Sequence, residues 1–261
     1  MPAIIIPPPL HLARRVHEPA RYFDGVSNQR FRHLAAPVTA TPLTLAAWLT
    51  ASVVNDVAIY VGVGDVSEHS FKLFTVSSGG TKLGAYATAA GTGAAAVAAS
   101  VIPSGWFHGA AVFVSPTSRF CYQNGIAGAE VTTDLTPLGI DRMTIGISER
   151  YTSADWLGHI FWPAIWDVAL TAGEIAALAK GRPPWEIRPG NLVACPCLRD
   201  GVDEFLHARW EILNSPGYHS APFRCEARRI IVRAPAAPAL PQGWMPEITQ
   251  PSPLPIEVVA Y

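Results

Sequence analysis

Between residues 43 and 167 short runs rich in Val, Ile, Leu, Thr, Phe, Tyr and Trp alternate with small or polar positions and are separated by Gly, Asn, Asp and Pro. A period of two over four to ten residues is the mark of half-buried strands, because successive side chains of a strand point to opposite faces. The pattern predicts strands at residues 43–51, 57–62, 71–76, 82–87, 94–101, 107–115, 119–123, 126–132, 142–147 and 157–167. So many strands fill two sheets rather than one. Asn124-Gly125, between the RFCYQ and IAGAEV runs, predicts a type I′ hairpin, since both residue types tolerate positive φ. One segment has helical signals: Thr171 as N-cap, Glu174 three residues on to complete a capping box, and Gly181 as the stop. No repeat of fixed period interrupts this order.

The ends differ in kind. Four of the first nine residues are proline, and residues 234–255 run APAAPALPQGWMPEITQPSPLP. Proline fixes φ and removes a backbone donor, so both ends are expected to be extended arms that cannot build a ladder of their own. Extended arms gain order by lying on another subunit, which points to a multi-chain assembly. In the C-terminal arm the large apolar side chains available for such contacts are Trp244, Met245, Ile248 and Tyr261. The division expected is an arm at 1–20, a sandwich at 21–182, an extension at 183–233 packed on it, and a second arm at 234–261.

Composition sharpens this. Only 15% of the residues are charged against 49% hydrophobic, so much of the surface is expected to be neutral or covered by neighbours. A formal charge of −1 supplies no field to gather nucleic acid, and Arg14-Arg15 and Arg228-Arg229 are too short to change that. The apolar N-terminal run lacks the charged start and length of a secretory leader, and no segment reads as a membrane span. Cys195-Pro196-Cys197 has neither redox nor zinc spacing. Buried thiols are the simpler expectation for Cys121, Cys195, Cys197 and Cys225; a bridge from Cys225 to Cys195 or Cys197 stays open.

Four segments in order resemble the laminin-G-like branch of the concanavalin A-like lectin and glucanase superfamily. They are Tyr22–Gly25 (YFDG), residues 42–52 with Trp48, the run from Trp106 through His108 to the Asn124-Gly125 turn, and residues 157–178 with Gly158, Ile160, Ile165, Trp166, Ala169 and Leu170. The resemblance covers about residues 22–182 and implies an all-β fold: an antiparallel jelly-roll sandwich with one short helix, here flanked by extended Pro-rich arms. It also implies that Trp166 points inward and that His108 packs at the start of a core strand. At Phe161-Trp162 the chain departs from the acidic pair that relatives carry, which argues against a family-type calcium site. More loosely, residues 183–233 are similar to the region after the helix in laminin-G-like proteins of tailed phages.

Catalytic patterns are not found. Retaining glycoside hydrolysis needs two carboxyls about 5 Å apart, which in the enzymes of this superfamily alternate along one strand. Here the nearest acidic group, Asp200, Asp203 and Glu204, reads as a turn. Asp65 and Asp141 are loop residues without the further oxygens calcium requires, so no cofactor is expected. Trp156, Trp162 and Trp185 are the candidates to stack on sugar rings. The expectation is thus a non-enzymatic virion structural protein of a tailed phage, made in the host cytoplasm, in contact with capsid or tail proteins and copies of itself, with a trimer favoured. The alternative is a module that binds a cell-surface glycan.

Overall fold

A computed structural model describes residues 20–51, 57–62, 69–148, 155–203, 205–214 and 216–219. In chain order the strands are β1 (Ala20–Asp24), β2 (Arg30–His33), β3 (Leu43–Leu49), β4 (Val57–Gly62), β5 (Ser70–Ser77), β6 (Thr81–Ala89), β7 (Thr92–Val101), β8 (Phe107–Ser115) and β9 (Ser118–Gln123). There follow β10 (Ile126–Ala127), β11 (Arg142–Ile145), β12 (Leu157–Trp166), the helix α1 (Ala172–Ala179) and a 3-10 turn (Pro184–Glu186). The chain then adds β13 (Leu192–Ala194), β14 (Val202–Asp203), β15 (Ala208–Arg209), β16 (Glu211–Leu213) and β17 (Gly217–His219).

The first sheet runs β10-β9-β8-β3-β12-β1-β17, with β13 also paired to β12; the second runs β16-β2-β11-β4-β5-β6-β7. All their pairings are antiparallel. This is the jelly-roll sandwich. Its core lies between the sheets, where Leu43, Leu45 and Leu49 of β3 and Phe107 and Phe113 of β8 meet Ile59, Val61, Phe71, Leu73 and Leu83 of the second sheet. Residues 183–219 contribute strands to both sheets, since β13 pairs with β12, β16 with β2 and β17 with β1.

The hairpin turn has φ of 50° at Asn124 and 83° at Gly125, as a type I′ turn needs. Helix α1 carries the capping box in full: Thr171 accepts from the Glu174 amide while the Glu174 carboxylate accepts from the Thr171 amide. Its buried residues Ile175 and Leu178 pack on Ala46, Ala110, Val112, Tyr122 and Trp166, so the helix covers one half of the outer face of the first sheet. Trp166 is therefore buried beneath the helix rather than between the sheets, and its indole Nε1 donates to the Ile187 carbonyl.

One strand is much shorter than the pattern predicts. In place of a strand at 126–132, β10 ends at Ala127, because the chain bends at Gly128 to pass so close to Val97 that a Cβ there would overlap the Val97 carbonyl. The bend serves β7, the edge of the second sheet. Side chains reach across to its carbonyls: Arg119 donates to Ala94 (3.3 Å), Gln123 to Val101 (2.9 Å) and Lys82 to Ala99 (3.3 Å). Arg119 also donates to Pro116 (2.8 Å) and Thr133, and burial lowers its pKa.

Buried polar groups tie the later strands in place. Arg21, 4% exposed, donates to the carbonyls of Leu198, Arg199 and Pro216. Asp203, 1% exposed, accepts from the amides of Cys195, Phe205 and Leu206 and from the indole of Trp210. Of the acidic group expected to form a turn, Asp200 lies in one, Asp203 lies in strand β14 and is a buried carboxylate, and Glu204 lies outside the described residues. Cys121, Cys195 and Cys197 are buried, and burial pushes the Cys121 thiol pKa up; Cys225 lies outside the described residues.

Candidate ligand-binding face

Strand alternation creates the site. On β3, Leu43, Leu45, Ala47 and Leu49 face the core, so Thr44, Ala46 and Trp48 face outward. On β8 the same rule sends His108, Ala110 and Val112 outward. Ala46, Ala110 and Val112 lie under helix α1. Trp48 and His108, directly opposite each other, lie beyond it with their rings 5.7 Å apart, edge to face. Phe161 of β12 is the other neighbour of Trp48.

At this point β12 breaks its register. Pairing with β3 shifts between Phe161 and Ala164, and Trp162 takes the left-handed φ of 48°. Proline at 163 cannot donate to a ladder, so the central strand bulges, and the bulge re-aims the indole. Trp162 stacks on Phe161 with centroids 4.5 Å apart and meets Trp185, on the 3-10 turn, edge to face at 5.1 Å. His159 extends the cluster, its ring 5.1 Å from Tyr22 and 5.6 Å from Trp106. Its Nδ1 lies 2.8 Å from the Thr50 hydroxyl, which also accepts from the His159 amide.

The result is an aromatic platform in which Trp48, Trp106, Trp185, Tyr22 and His159 are half-buried over a floor of Phe161, Trp162 and His108. No side chain in this group is a carboxylate, an ammonium or a guanidinium. His108 is 2% exposed, its Nδ1 has no hydrogen-bond partner among the described residues, and burial lowers its pKa to about 3. It is a neutral imidazole at ordinary pH.

Of the three tryptophans predicted to stack on sugars, Trp185 is placed to offer part of a face. Trp162 is 2% exposed and forms the floor. Trp156 is a correction: it is fully buried in the core between the sheets, on the opposite side of the first sheet, because it precedes β12 where the chain enters the sandwich. Trp48 and Trp106 were missed as candidates. The signal for Trp48 was available, since it shares the phase of Thr44 and Ala46 and not that of the core leucines.

No group of three or more His, Cys, Asp or Glu suited to a metal occurs among the described residues. Asp141 pairs with Arg142 at 2.7 Å, and that hydrogen bond lowers its pKa. Asp65, Trp244, Met245, Ile248 and Tyr261 lie outside the described residues. No described helix is long and apolar enough to cross a membrane.

With this architecture in view, comparison with protein families gives a laminin-G-type model matching residues 23–176, and the chain belongs to the concanavalin A-like lectin/glucanases superfamily. Among solved structures it is similar to a heptameric SAP-like pentraxin from Limulus polyphemus, at 16% identity and a TM-score of 0.60, covering 81% of this chain and 99% of that one. It is also similar to domain 4 of the extracellular arabinanase AbnA from Geobacillus stearothermophilus, at 20% identity and a TM-score of 0.50, covering 61% and 76%. A third is a putative carbohydrate-binding protein from Bacteroides ovatus, at 15% identity and a TM-score of 0.50, covering 77% and 61%. These likenesses show the fold. Comparison with curated proteins found no match.

Proposed function

We propose that the chain is a glycan-binding module without catalytic activity, and that the platform of Trp48, Trp106 and Trp185 is its binding face. The observation that carries the reading is the cluster itself: half-buried indoles held at fixed angles by a bulge, beside polar groups of Tyr22 and His159 at the margin. The C–H face of a pyranose packs on an indole as an apolar surface, and hydroxyls at its edge need nearby donors and acceptors. The arabinanase domain is described in complex with arabinotriose, which supports the reading at the level of fold.

The test is a glycan array with the intact protein, followed by titration of any glycan found. Trp185→Ala and Trp106→Ala are each expected to weaken binding about tenfold or more, on the order of one lost stacking contact of ~1.4 kcal/mol, with unchanged circular dichroism. The bound glycan should be recovered intact. A glycan held equally well by both variants, or cleaved, overturns the assignment.

The proline-rich ends favour a second reading, a phage virion component whose arms fasten the sandwich to capsid or tail subunits. Deleting residues 234–261 is then expected to abolish association with particles while the sandwich stays folded. Full occupancy by the truncated chain counts against it. The two readings are compatible, since a displayed module can bind a surface glycan.

A further inference from the structure

We propose that the face takes a neutral oligosaccharide, laid across the strands along a file of three rings, Trp106, His159 and Tyr22. This rests on the glycan reading and narrows it to one class of ligand. The file follows from strand register. Tyr22 of β1 lies directly opposite His159 of β12, and His159 exchanges backbone hydrogen bonds of 3.0 and 3.2 Å with Thr50, the residue after β3. Phe107 pairs with Leu49, so Trp106 stands opposite Thr50. The ring centroids are 5.6 Å apart from Trp106 to His159 and 5.1 Å from His159 to Tyr22, and all three side chains are half-buried. The row crosses from β8 over β3 and β12 to β1, which at about 4.8 Å per strand is about 14 Å. That is wider than one sugar ring, so a single sugar does not fill it.

The centre of the file is polar and held in place. The Thr50 hydroxyl accepts from the His159 amide at 2.9 Å and lies 2.8 Å from the imidazole Nδ1, which fixes the ring between its two neighbours. An oligosaccharide needs such a group between the rings that pack on its C–H faces, because its hydroxyls must find partners as they leave water. Thr50 is therefore a positioning residue, acting on the ligand through His159.

Charge sets the class. Acidic sugars are held by guanidinium or ammonium groups, and the described residues offer none to this file. Arg21, next to Tyr22 in the chain, points to the other side of the sheet, where it donates to the carbonyls of Leu198, Arg199 and Pro216. Arg182 and Glu186, on either side of Trp185, pair with each other at 3.2 Å, and Arg188 pairs with Glu174 at 2.5 Å. Asp24, in contrast, shares the outward face of β1 with Tyr22, about 7 Å further along the strand. Its carboxylate accepts from the amides of Val26 and Ser27 and from the Ser27 hydroxyl, none of them a cation. Carboxylates are ionised at neutral pH. An acidic sugar along the file would leave water, gain no cation among the described residues, and bring a second negative charge towards Asp24.

The experiment exposes the intact protein to an array of neutral oligosaccharides of one to six units, each beside the same chain carrying one terminal uronic acid, and titrates the pairs retained. Affinity is expected to rise over the first units and level off at about three, one for each ring of the file. Each acidic form should bind about tenfold or more weakly than its neutral parent, and Asp24→Asn should narrow that gap about threefold. Thr50→Val keeps the shape and loses the hydroxyl, so it should lower affinity for the trisaccharide about fivefold, and Thr50→Ser should restore it. Retention of acidic chains as good as that of neutral ones overturns the inference. So does a monosaccharide held as tightly as the trisaccharide, or a loss in Thr50→Val that Thr50→Ser does not recover. In each of these cases the glycan reading stands if Trp185→Ala and Trp106→Ala still weaken binding. An array on which nothing is retained ends both.

Discussion

Asp203→Asn is expected to destabilise the protein by about 3 kcal/mol or more, although the substitution changes neither volume nor shape. Both carboxylate oxygens are acceptors for buried donors: Oδ2 for the Cys195 amide at 2.9 Å and the Trp210 indole at 3.1 Å, Oδ1 for the amides of Phe205 and Leu206, each at 3.1 Å. An amide side chain can accept at one oxygen only. Its NH2 group must face two donors on the other side, so whichever way it turns a pair of buried donors loses its acceptor and meets a competing hydrogen. Asp203 holds together the chain from Cys195 to Trp210, and Trp210 leads directly into β16, the edge strand beside β2. The measurement is a urea unfolding curve, with hydrogen exchange across residues 195–213 to find where protection is lost. A midpoint unchanged from the parent would refute the argument.

The second large effect is expected on acidification and comes from His108. In the unfolded chain this histidine takes up a proton near pH 6.5, whereas in the folded protein burial holds its pKa at about 3. Below pH 6.5 the unfolded state therefore binds the proton and the folded state does not. Stability is fully present above about pH 6.5 and is lost as pH falls toward 3, at about 1.4 kcal/mol per pH unit, or about 2.7 kcal/mol by pH 4.5. The Nδ1 atom has no hydrogen-bond partner among the described residues, and the shift comes from burial of the ring. His108→Met keeps an apolar side chain of similar length at a position that stays uncharged. It should flatten the urea midpoint between pH 7 and pH 4.5 by that amount. An acid limb of equal steepness in both proteins would assign the sensitivity to other groups.

How much of this was legible in the sequence depended on how local the determining interactions are. The bounds of β4 and β8 coincide with the runs seen in the sequence, and the Asn124-Gly125 turn and the capping box of α1 are set by residues within four positions of one another. β16 and β17 were not visible. Each has three residues, too few to show a period, and each is a strand only because β2 or β1, nearly two hundred residues earlier, offers it an edge.

The platform was half legible for a related reason. Trp162 and Trp185 were picked out by residue type and Trp156 with them, but composition does not say which side of a sheet a tryptophan occupies. The bulge at Trp162 decides the shape of the site, and Pro163 in the middle of a central strand was its trace in the sequence. The packing of His108 was implied by the resemblance, and its neutral state follows from that burial.

Strand β7 has a consequence beyond the shape of the sandwich. Its sequence, TGAAAVAASV, has ten residues, no charge and no proline, and it forms an outer rim of the second sheet. An apolar rim of that length would ordinarily template the addition of a strand from another molecule and so seed polymers. Here the carbonyls of Ala94, Ala99 and Val101 are already taken by Arg119, Lys82 and Gln123, while Gly128 crowds that of Val97. An incoming strand meets a buried guanidinium and two further side chains on this rim, so long polar side chains protect an edge whose own residues carry no deterrent against self-association.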